Sequence, residues 1–288
     1  MSALMTDFHS FFVIGHPLAH SMSPYIHRRL FAMEGIEAVY DAQDIPPDRL
    51  RQELPALLRS ASGVNVTIPH KQAVIPLLDG LRGRAALYRS VNTIAVTPDG
   101  AIGYNTDADG FLCALQAAGV ALQGRVALLG CGGVGRTFAC EAAMAGCTLV
   151  NAVREADLPA ARALREDVIA LSGCAPYEIT GLQTLEGGFD LLVNATPVGM
   201  FPHADASPVA AKALTDTVAV FDAVYNPGET QLLRQAAGIG AKAIGGMAML
   251  VWQAAAAHTI WFGTQFDPAA VQSLVGDAAR EMEKTFRA

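Results

Sequence analysis

Residues 125–136 read RVALLGCGGVGR, an apolar run that stops at a cluster of glycines. Val126 to Leu129 show no polar alternation, as expected of a strand buried on both faces in a parallel sheet covered by helices. Gly130, Gly132 and Gly135 then fit G-x-G-x-x-G, and a helix-like segment, Thr137 to Ala145, follows. In that context the glycines permit a tight turn, close approach of backbone N–H groups to a pyrophosphate, and close packing of helix on strand, with the helix N-terminus favouring negative charge. The same spacing also suits a plain strand-to-helix turn. The strand before it and a further strand beyond it favour dinucleotide binding. Thr148 to Val153, Phe189 to Asn194 and Val218 to Val224 read as strands and Thr230 to Ala237 as a helix, which predicts a doubly wound sheet.

The end of the strand after the loop bears on the cofactor. It reads Val153-Arg154-Glu155. Arg154 could clamp a ribose 2′-phosphate bidentately, whereas Glu155 would repel that phosphate or accept from a free diol. The two residues point in opposite directions, to NADP and to NAD.

Upstream of Gly119–Gly124 the pattern describes a separate unit. FFVIG from Phe11 is strand-like, Ser23 and Pro24 read as the N-cap and first residue of a helix to about Met33, and Ala38 to Gln43 and Gly63 to Thr67 read as strands. A helix from about Pro47 to Arg59 separates those two strands, and Ile94 to Val96 precedes a Pro98-Asp99-Gly100 turn. This alternation predicts parallel strands. A helix opens at Asp107 and runs to Ala118. After Gly245-Gly246 the chain turns helical, Met247 to Trp261 and Asp267 to about Arg287, and these helices are expected to return to the first domain. The expected organisation is α/β with two domains: 1–120 completed by 247–288, and 121–246.

A chain of 288 residues with 52% hydrophobic and 16% charged residues has the material for two cores, which excludes intrinsic disorder. A formal charge of −7 argues against a nucleic-acid surface but leaves room for a small anionic ligand held by local N–H groups and single lysines. Cys113, Cys131, Cys140, Cys147 and Cys174 include no CxxC pair and read as reduced structural thiols. No segment resembles a secretion signal or reaches membrane-spanning length, so the cytoplasm is the expected compartment. His16, His20, His27 and His70 lie among Pro and Ser without HxxxH spacing, so no metal site is expected.

Two charged residues end strand-like runs in the first unit. Lys71 follows GVNVTIPH and Asp107 follows YNT. A lysine at a strand's mouth can reach a ligand while partly desolvated, and with a carboxylate as partner it could move the proton of a hydroxyl whose carbon loses a hydride. Taken singly, a solvated lysine and an N-capping aspartate are the more ordinary explanations of the two positions.

In order along the chain, HPLAHSMSP, GVNVTIPHK, SVNT, GYNTDADG, GCGGVGR, NATPVGM, DAVYNPGETQLL and GMAMLVWQA cover about Gly15 to Gln253 and resemble the successive signatures of the shikimate dehydrogenase family. The resemblance implies reversible oxidation of shikimate to 3-dehydroshikimate with NADP, or NAD-linked oxidation of quinate and shikimate in relatives. It implies an amino-terminal α/β substrate domain joined to a Rossmann nucleotide domain, acting on a small molecule as a monomer or homodimer, with no nucleic acid or membrane partner. Matched residue by residue, Ser21 and Ser23 are implied at the substrate carboxylate, and Thr67, Asn92 and Gln253 at the ring hydroxyls, with Asn65 and Tyr225 nearby. Lys71 and Asp107 match the catalytic pair. Gly130, Gly132, Gly133, Val134 and Gly135 match the phosphate loop, Arg154 the 2′-phosphate arginine and Gly246 a glycine close to the nicotinamide, with Ala223 also on the cofactor. The chain departs from the family at Val153 and Glu155, where Asn and Thr are usual, at Arg89-Ser90, usually Gly-Ala, and at His258, usually aromatic. These departures leave a paralogue with altered substrate preference open. A non-catalytic sensor on the same scaffold also stays open, although such a derivative would usually have lost Lys71, Asp107 or the glycine loop. A methylenetetrahydrofolate dehydrogenase would share the plan but lack the serine pair and the Tyr225-Asn226-Pro227 block.

Overall fold

The computed structural model describes residues 9–18, 21–173 and 176–286. His20 and Cys174 lie outside the described residues. The chain divides into two compact units: the chain up to Thr106 with Ala254–Leu274, and Asp107–Gln253 with the segment from Val275 onward.

The first unit is built on β1 (His9–Gly15), α1 (Ser23–Glu34), β2 (Ala38–Asp44), α2 (Leu50–Leu58), β3 (Gly63–Val66), β4 (Gly80–Leu81), α3 (Arg84–Tyr88), β5 (Thr93–Thr97) and β6 (Gly100–Tyr104). Its six strands run in the order β2-β1-β3-β5-β6-β4. β1 is parallel to β2 and β3, but β5 is antiparallel to β3 and β6 antiparallel to β5, so the uniformly parallel expectation fails here. The cause is local. Pro98 and Asp99 close a hairpin with Gly100 at φ +109°, and so short a connection can only join antiparallel neighbours. Asp79 Oδ2 accepts from the Ala101 amide at 2.7 Å and secures its far side.

Consecutive residues of β1 face opposite sides of the sheet. Phe12 packs with Ile14, Leu54, Val64 and Ile94, while Phe11 packs with Phe31, Tyr40, Trp261 and Phe262. A Cβ on Gly63 would lie 2.5 Å from Nε1 of the Trp261 ring, so the glycine admits the indole, whose Nε1 donates to the Ile94 carbonyl at 3.1 Å.

The second unit comprises α4 (Asp107–Ala117), β7 (Arg125–Leu129), α5 (Gly133–Met144), β8 (Thr148–Val153), α6 (Leu158–Ser172), β9 (Tyr177–Gly181), β10 (Leu191–Asn194), β11 (Ala219–Asp222), α7 (Gln231–Gly238) and β12 (Lys242–Gly245). Then come α8 (Gly246–Phe262), which passes from this unit into residues of the first, and α9 (Pro268–Phe286). The strands are all parallel in the order β12-β11-β10-β7-β8-β9, which reverses direction between β7 and β10 as in a Rossmann sheet. The units part at Asp107, ahead of the Gly119–Gly124 stretch, because α4 seats Phe111 on Phe138 and Phe221, with ring centroids 4.3 and 5.0 Å apart. The carboxy-terminal helices are likewise shared, with α9 counted in the second unit from Val275. α5 starts four residues before the sequence suggests, at Gly133, because the glycine loop is already turning into helix. α6, β9 and β12 have no counterpart in the sequence reading. In α6 the buried stripe Ala161, Leu164, Val168 is narrow and surrounded by charge.

Candidate active site

In the first unit the polar candidates gather at one edge of the sheet. The carboxyl ends of β1 and β3 deliver Ser21, Ser23, Thr67 and Lys71 there. Reversed β5 delivers its start, Asn92, and β6 its end, Asn105 and Thr106. Backbone bonds tie these ends together: Thr67 N to Ile14 O at 2.9 Å, Val66 N to Asn92 O at 2.8 Å, and Val91 N to Lys71 O at 2.8 Å. His70, which carries no role in the sequence beyond an excluded metal ligand, is buried and donates to the Ile45 carbonyl at 2.6 Å, which fixes the turn bearing Lys71.

α1 corrects the capping assignment. Met22 is its N-cap and makes no side-chain cap bond; Ser23 is the first helical residue, and its amide donates to Ser21 Oγ at 3.3 Å. Burial raises the Tyr40 pKa, partly offset by the Ser23 side chain. Tyr40 donates to Asn65 Oδ1 at 2.6 Å, and both Asn65 amide protons are used, toward Asn92 O at 3.3 Å and Thr93 Oγ1 at 3.1 Å. Asn92 in turn accepts from the Thr106 amide at 2.7 Å and donates to Thr106 Oγ1 at 3.0 Å. The result is a preorganised, buried polar surface in which donors and acceptors are already aimed. Tyr40 is absent from the sequence reading. It lies on an edge strand between exposed neighbours, and only its isolated burial betrays it.

Asp107 is buried at the first turn of α4, where helical N–H groups favour a carboxylate. One turn on, Gly110 lets α8 approach so closely that a Cβ would meet Met249 O at 2.5 Å and Gln253 Cβ at 2.9 Å. This crossing places Gln253 on the helix packed against the Asp107 face of α4. The Gln253 amide donates to Leu250 O at 2.9 Å. Tyr225, half-buried, follows β11 in a loop pinned by buried Asp222, whose carboxylate accepts from Asn194 Nδ2 at 2.9 Å, Val224 N at 3.0 Å and Thr230 Oγ1 at 2.6 Å. Burial raises the Asp222 pKa, against these three donors.

The glycine loop leaves β7 at the point where the strand order reverses, the usual ligand position in such a sheet. Gly130 is required by φ +93° and by Thr196 Cγ2, 2.8 Å from where its Cβ would sit; Gly135 is required by Gly130 O at 3.2 Å. Gly132 has neither reason. A Cβ there would meet nothing within 4 Å, so its bare backbone faces open space at the N-terminus of α5, which suits a pyrophosphate. The neighbouring strand ends are laced by Gly130 N to Ala152 O, Ala195 N to Leu129 O and Ala223 N to Asn194 O, each at 3.0 Å. Arg154, exposed just beyond β8, is held bidentately by Asp157 at 2.7 and 3.2 Å, and Cys131 Sγ of the loop lies 4.0 Å from Asp157 O. The Arg154–Asp157 bond raises the Arg154 pKa and lowers that of Asp157. Glu155 is exposed beside it. Among the described residues no group of three or more His, Cys, Asp or Glu side chains could hold a metal ion, and no helix is long and apolar enough to cross a membrane.

Residues 13–94 match the family model described as the shikimate dehydrogenase substrate binding domain. A shikimate dehydrogenase (NADP(+)) from Symbiobacterium thermophilum is 40% identical over 263 residues, covering 87% of this chain and 88% of the relative. The chain belongs to the shikimate dehydrogenase family. Among solved structures, a shikimate dehydrogenase in complex with NADP+ superposes with a TM-score of 0.86 at 35% identity, covering 94% of this chain and 95% of the other. The Thermus thermophilus shikimate 5-dehydrogenase in complex with NADP(H) and shikimate gives 0.83 at 36% identity, covering 94% and 99%.

Two departures from the family gain a physical account. Arg89, where the family resemblance implies glycine, caps α3 at φ +53°, a left-handed conformation that disfavours any residue with a Cβ. His258 is fully buried and bonded on both ring nitrogens.

Proposed function

We propose that this protein catalyses the reversible, NADP-dependent oxidation of a ring hydroxyl of shikimate to 3-dehydroshikimate. The observation that supports it most is the placing of Lys71 on a turn anchored by His70, beside a preorganised network of serine, asparagine and threonine side chains. Ser21 and Ser23 donate to the substrate carboxylate at the start of α1. Asn65, Thr67, Asn92, Tyr225 and Gln253 exchange hydrogen bonds with the ring hydroxyls. NADP held by Gly130, Gly132, Gly133, Val134, Gly135, Arg154, Ala223 and Gly246 supplies the hydride acceptor. As the C–H bond is lost, the hydroxyl proton passes to the catalytic pair Lys71 and Asp107, Lys71 doing most of the transfer; in reduction Lys71 returns the proton to the new alkoxide. Residues up to Thr106 form the body of the substrate domain, and the sheet from β7 to β12 the nucleotide domain. The enzyme works, on this reading, in the cytoplasm as a monomer or homodimer.

Cofactor reduction followed spectrophotometrically, with shikimate and quinate each paired with NADP and NAD, tests the assignment. Turnover with shikimate and NADP is expected to exceed the other three combinations, and no turnover in any of them overturns it. The engagement of Arg154 by Asp157, with Glu155 alongside, favours NAD-linked turnover as the second reading. Glu155→Thr is expected to lower the KM for NADP relative to NAD by roughly threefold, the scale of one exposed, solvent-screened charge. An unchanged ratio would show that Glu155 does not face the 2′-phosphate.

A further inference from the structure

Behind the polar edge of the first unit lies a second chain of ionisable groups in an apolar setting. Glu34 Oε2 at the end of α1 is 2.6 Å from His258 Nδ1, and His258 Nε2 is 3.0 Å from His27 Nδ1. Both imidazoles are fully buried, and the Glu34 side chain is only 4% exposed. The rings of Phe31, Trp261, Phe262 and Phe266 surround His258, with centroids 4.5 to 5.9 Å away. The His27 ring lies flat on Tyr40, with centroids 4.1 Å apart and planes within 7°. Among the described residues, Glu34 Oε1 and His27 Nε2 have no hydrogen-bond partner.

Such a chain is an expensive way to fill a core. Well-packed apolar side chains of similar volume are often as stabilising as a buried ion pair, or more so. What the chain supplies is direction. The Glu34 carboxylate accepts from His258 Nδ1, and His258 Nε2 and His27 Nδ1 share one proton between them, so each ring is held by its bonded edge. Burial, reinforced by His258, lowers the His27 pKa well below the ordinary histidine value and keeps this ring neutral. With one tautomer and one bonded edge, the His27 plane is fixed, and so is the phenol stacked on it. That phenol donates to Asn65 Oδ1 at 2.6 Å.

We propose that Glu34 and His258 are positioning residues that act through His27 and Tyr40 to set the orientation of Asn65 toward substrate. This rests on the assignment of Asn65 to substrate binding given above. The pair Glu34 and His258 therefore tunes affinity for the ring acid without touching it.

The test compares wild type, the double variant Glu34→Leu/His258→Phe, Glu34→Gln and Tyr40→Phe, measuring thermal unfolding and separate kcat and KM for shikimate at saturating NADP. The double variant, which replaces the whole polar pair with apolar volume, is expected to unfold at or above the wild-type temperature. Its kcat should stay within about twofold while the KM for shikimate rises about five- to tenfold, the scale of one mispositioned hydrogen bond in ground-state binding. Glu34→Gln keeps an acceptor for the His258 Nδ1 proton and should restore the wild-type KM. Tyr40→Phe breaks the chain at its last step, so its KM should rise comparably even if the double variant does not fold. An unchanged KM in Tyr40→Phe, or in a folded double variant, overturns the proposal. So does a fall in kcat at constant KM. Nitrogen-15 NMR of wild-type histidines gives a readout independent of turnover: a single His27 tautomer supports the chain, and a mixture of the two overturns it. A wild-type protein inactive on shikimate but with His27 in a single tautomer would defeat the functional assignment and leave the chain standing.

Discussion

Replacing Lys71 with alanine is expected to lower kcat for shikimate oxidation by about 10²-fold or more while changing the KM for shikimate only modestly, the pattern of a lost acid–base group. The expectation follows from how the lysine is held. Its carbonyl accepts from Val91 and its neighbour His70 is clamped on Ile45, so the backbone turn survives truncation of the side chain. Thermal unfolding should therefore be unchanged. Steady-state kinetics with both substrates varied distinguishes the outcomes: a KM rise at constant kcat would make Lys71 a binding residue only, and unchanged kinetics would remove it from the reaction.

The second large effect is expected at Gly246. An alanine Cβ there would lie 2.7 Å from the Ala223 carbonyl carbon and 3.0 Å from that of Val224, with the Ala223 oxygen closer still. All of these are backbone atoms and cannot rotate aside. The Gly246 amide also donates to Val224 O at 3.2 Å, so the start of α8 and the end of β11 must move together. Gly246→Ala is expected to destabilise the protein by about 2–3 kcal/mol, at the upper end for forced overpacking, and to lower the unfolding midpoint by several degrees. Gly132→Ala is the contrasting case. With φ −71° and open space around the added methyl, it should leave the midpoint unchanged while raising the KM for NADP about tenfold or more, since only the ligand would be displaced. Differential scanning fluorimetry with and without NADP separates the two. Equal midpoints for wild type and Gly246→Ala would contradict the steric account, and an unchanged NADP requirement in Gly132→Ala would contradict the cradle.

What the sequence discloses is what is local. The glycine loop, Lys71 and Arg154 each follow a strand within a few residues, and their neighbours in sequence are their surroundings in space. The direction of β5 is not local. It follows from a hairpin whose partner strand β6 is too glycine-rich and short to stand out, so alternation alone suggested a parallel sheet. The Ser23 cap misled for a finer reason: the serine that supplies the oxygen is two residues earlier. Tyr40 and the Glu34–His258–His27 chain depend on pairs separated by as many as 231 residues, and in sequence His258 appears only as a departure from the family's usual aromatic.

The reversal of β5 has one further consequence. A hairpin that brings both of its open ends to the polar edge must put its closed end on the opposite side, so the Pro98-Asp99 tip is remote from the polar groups along the strand direction. Chain length can vary at that tip without altering the spacing between Asn92 and Thr106, which is set by strand register. A short peptide spliced in between Pro98 and Asp99 would serve as a handle for immobilising or labelling the enzyme, with the ligand-facing side of the sheet left as it is.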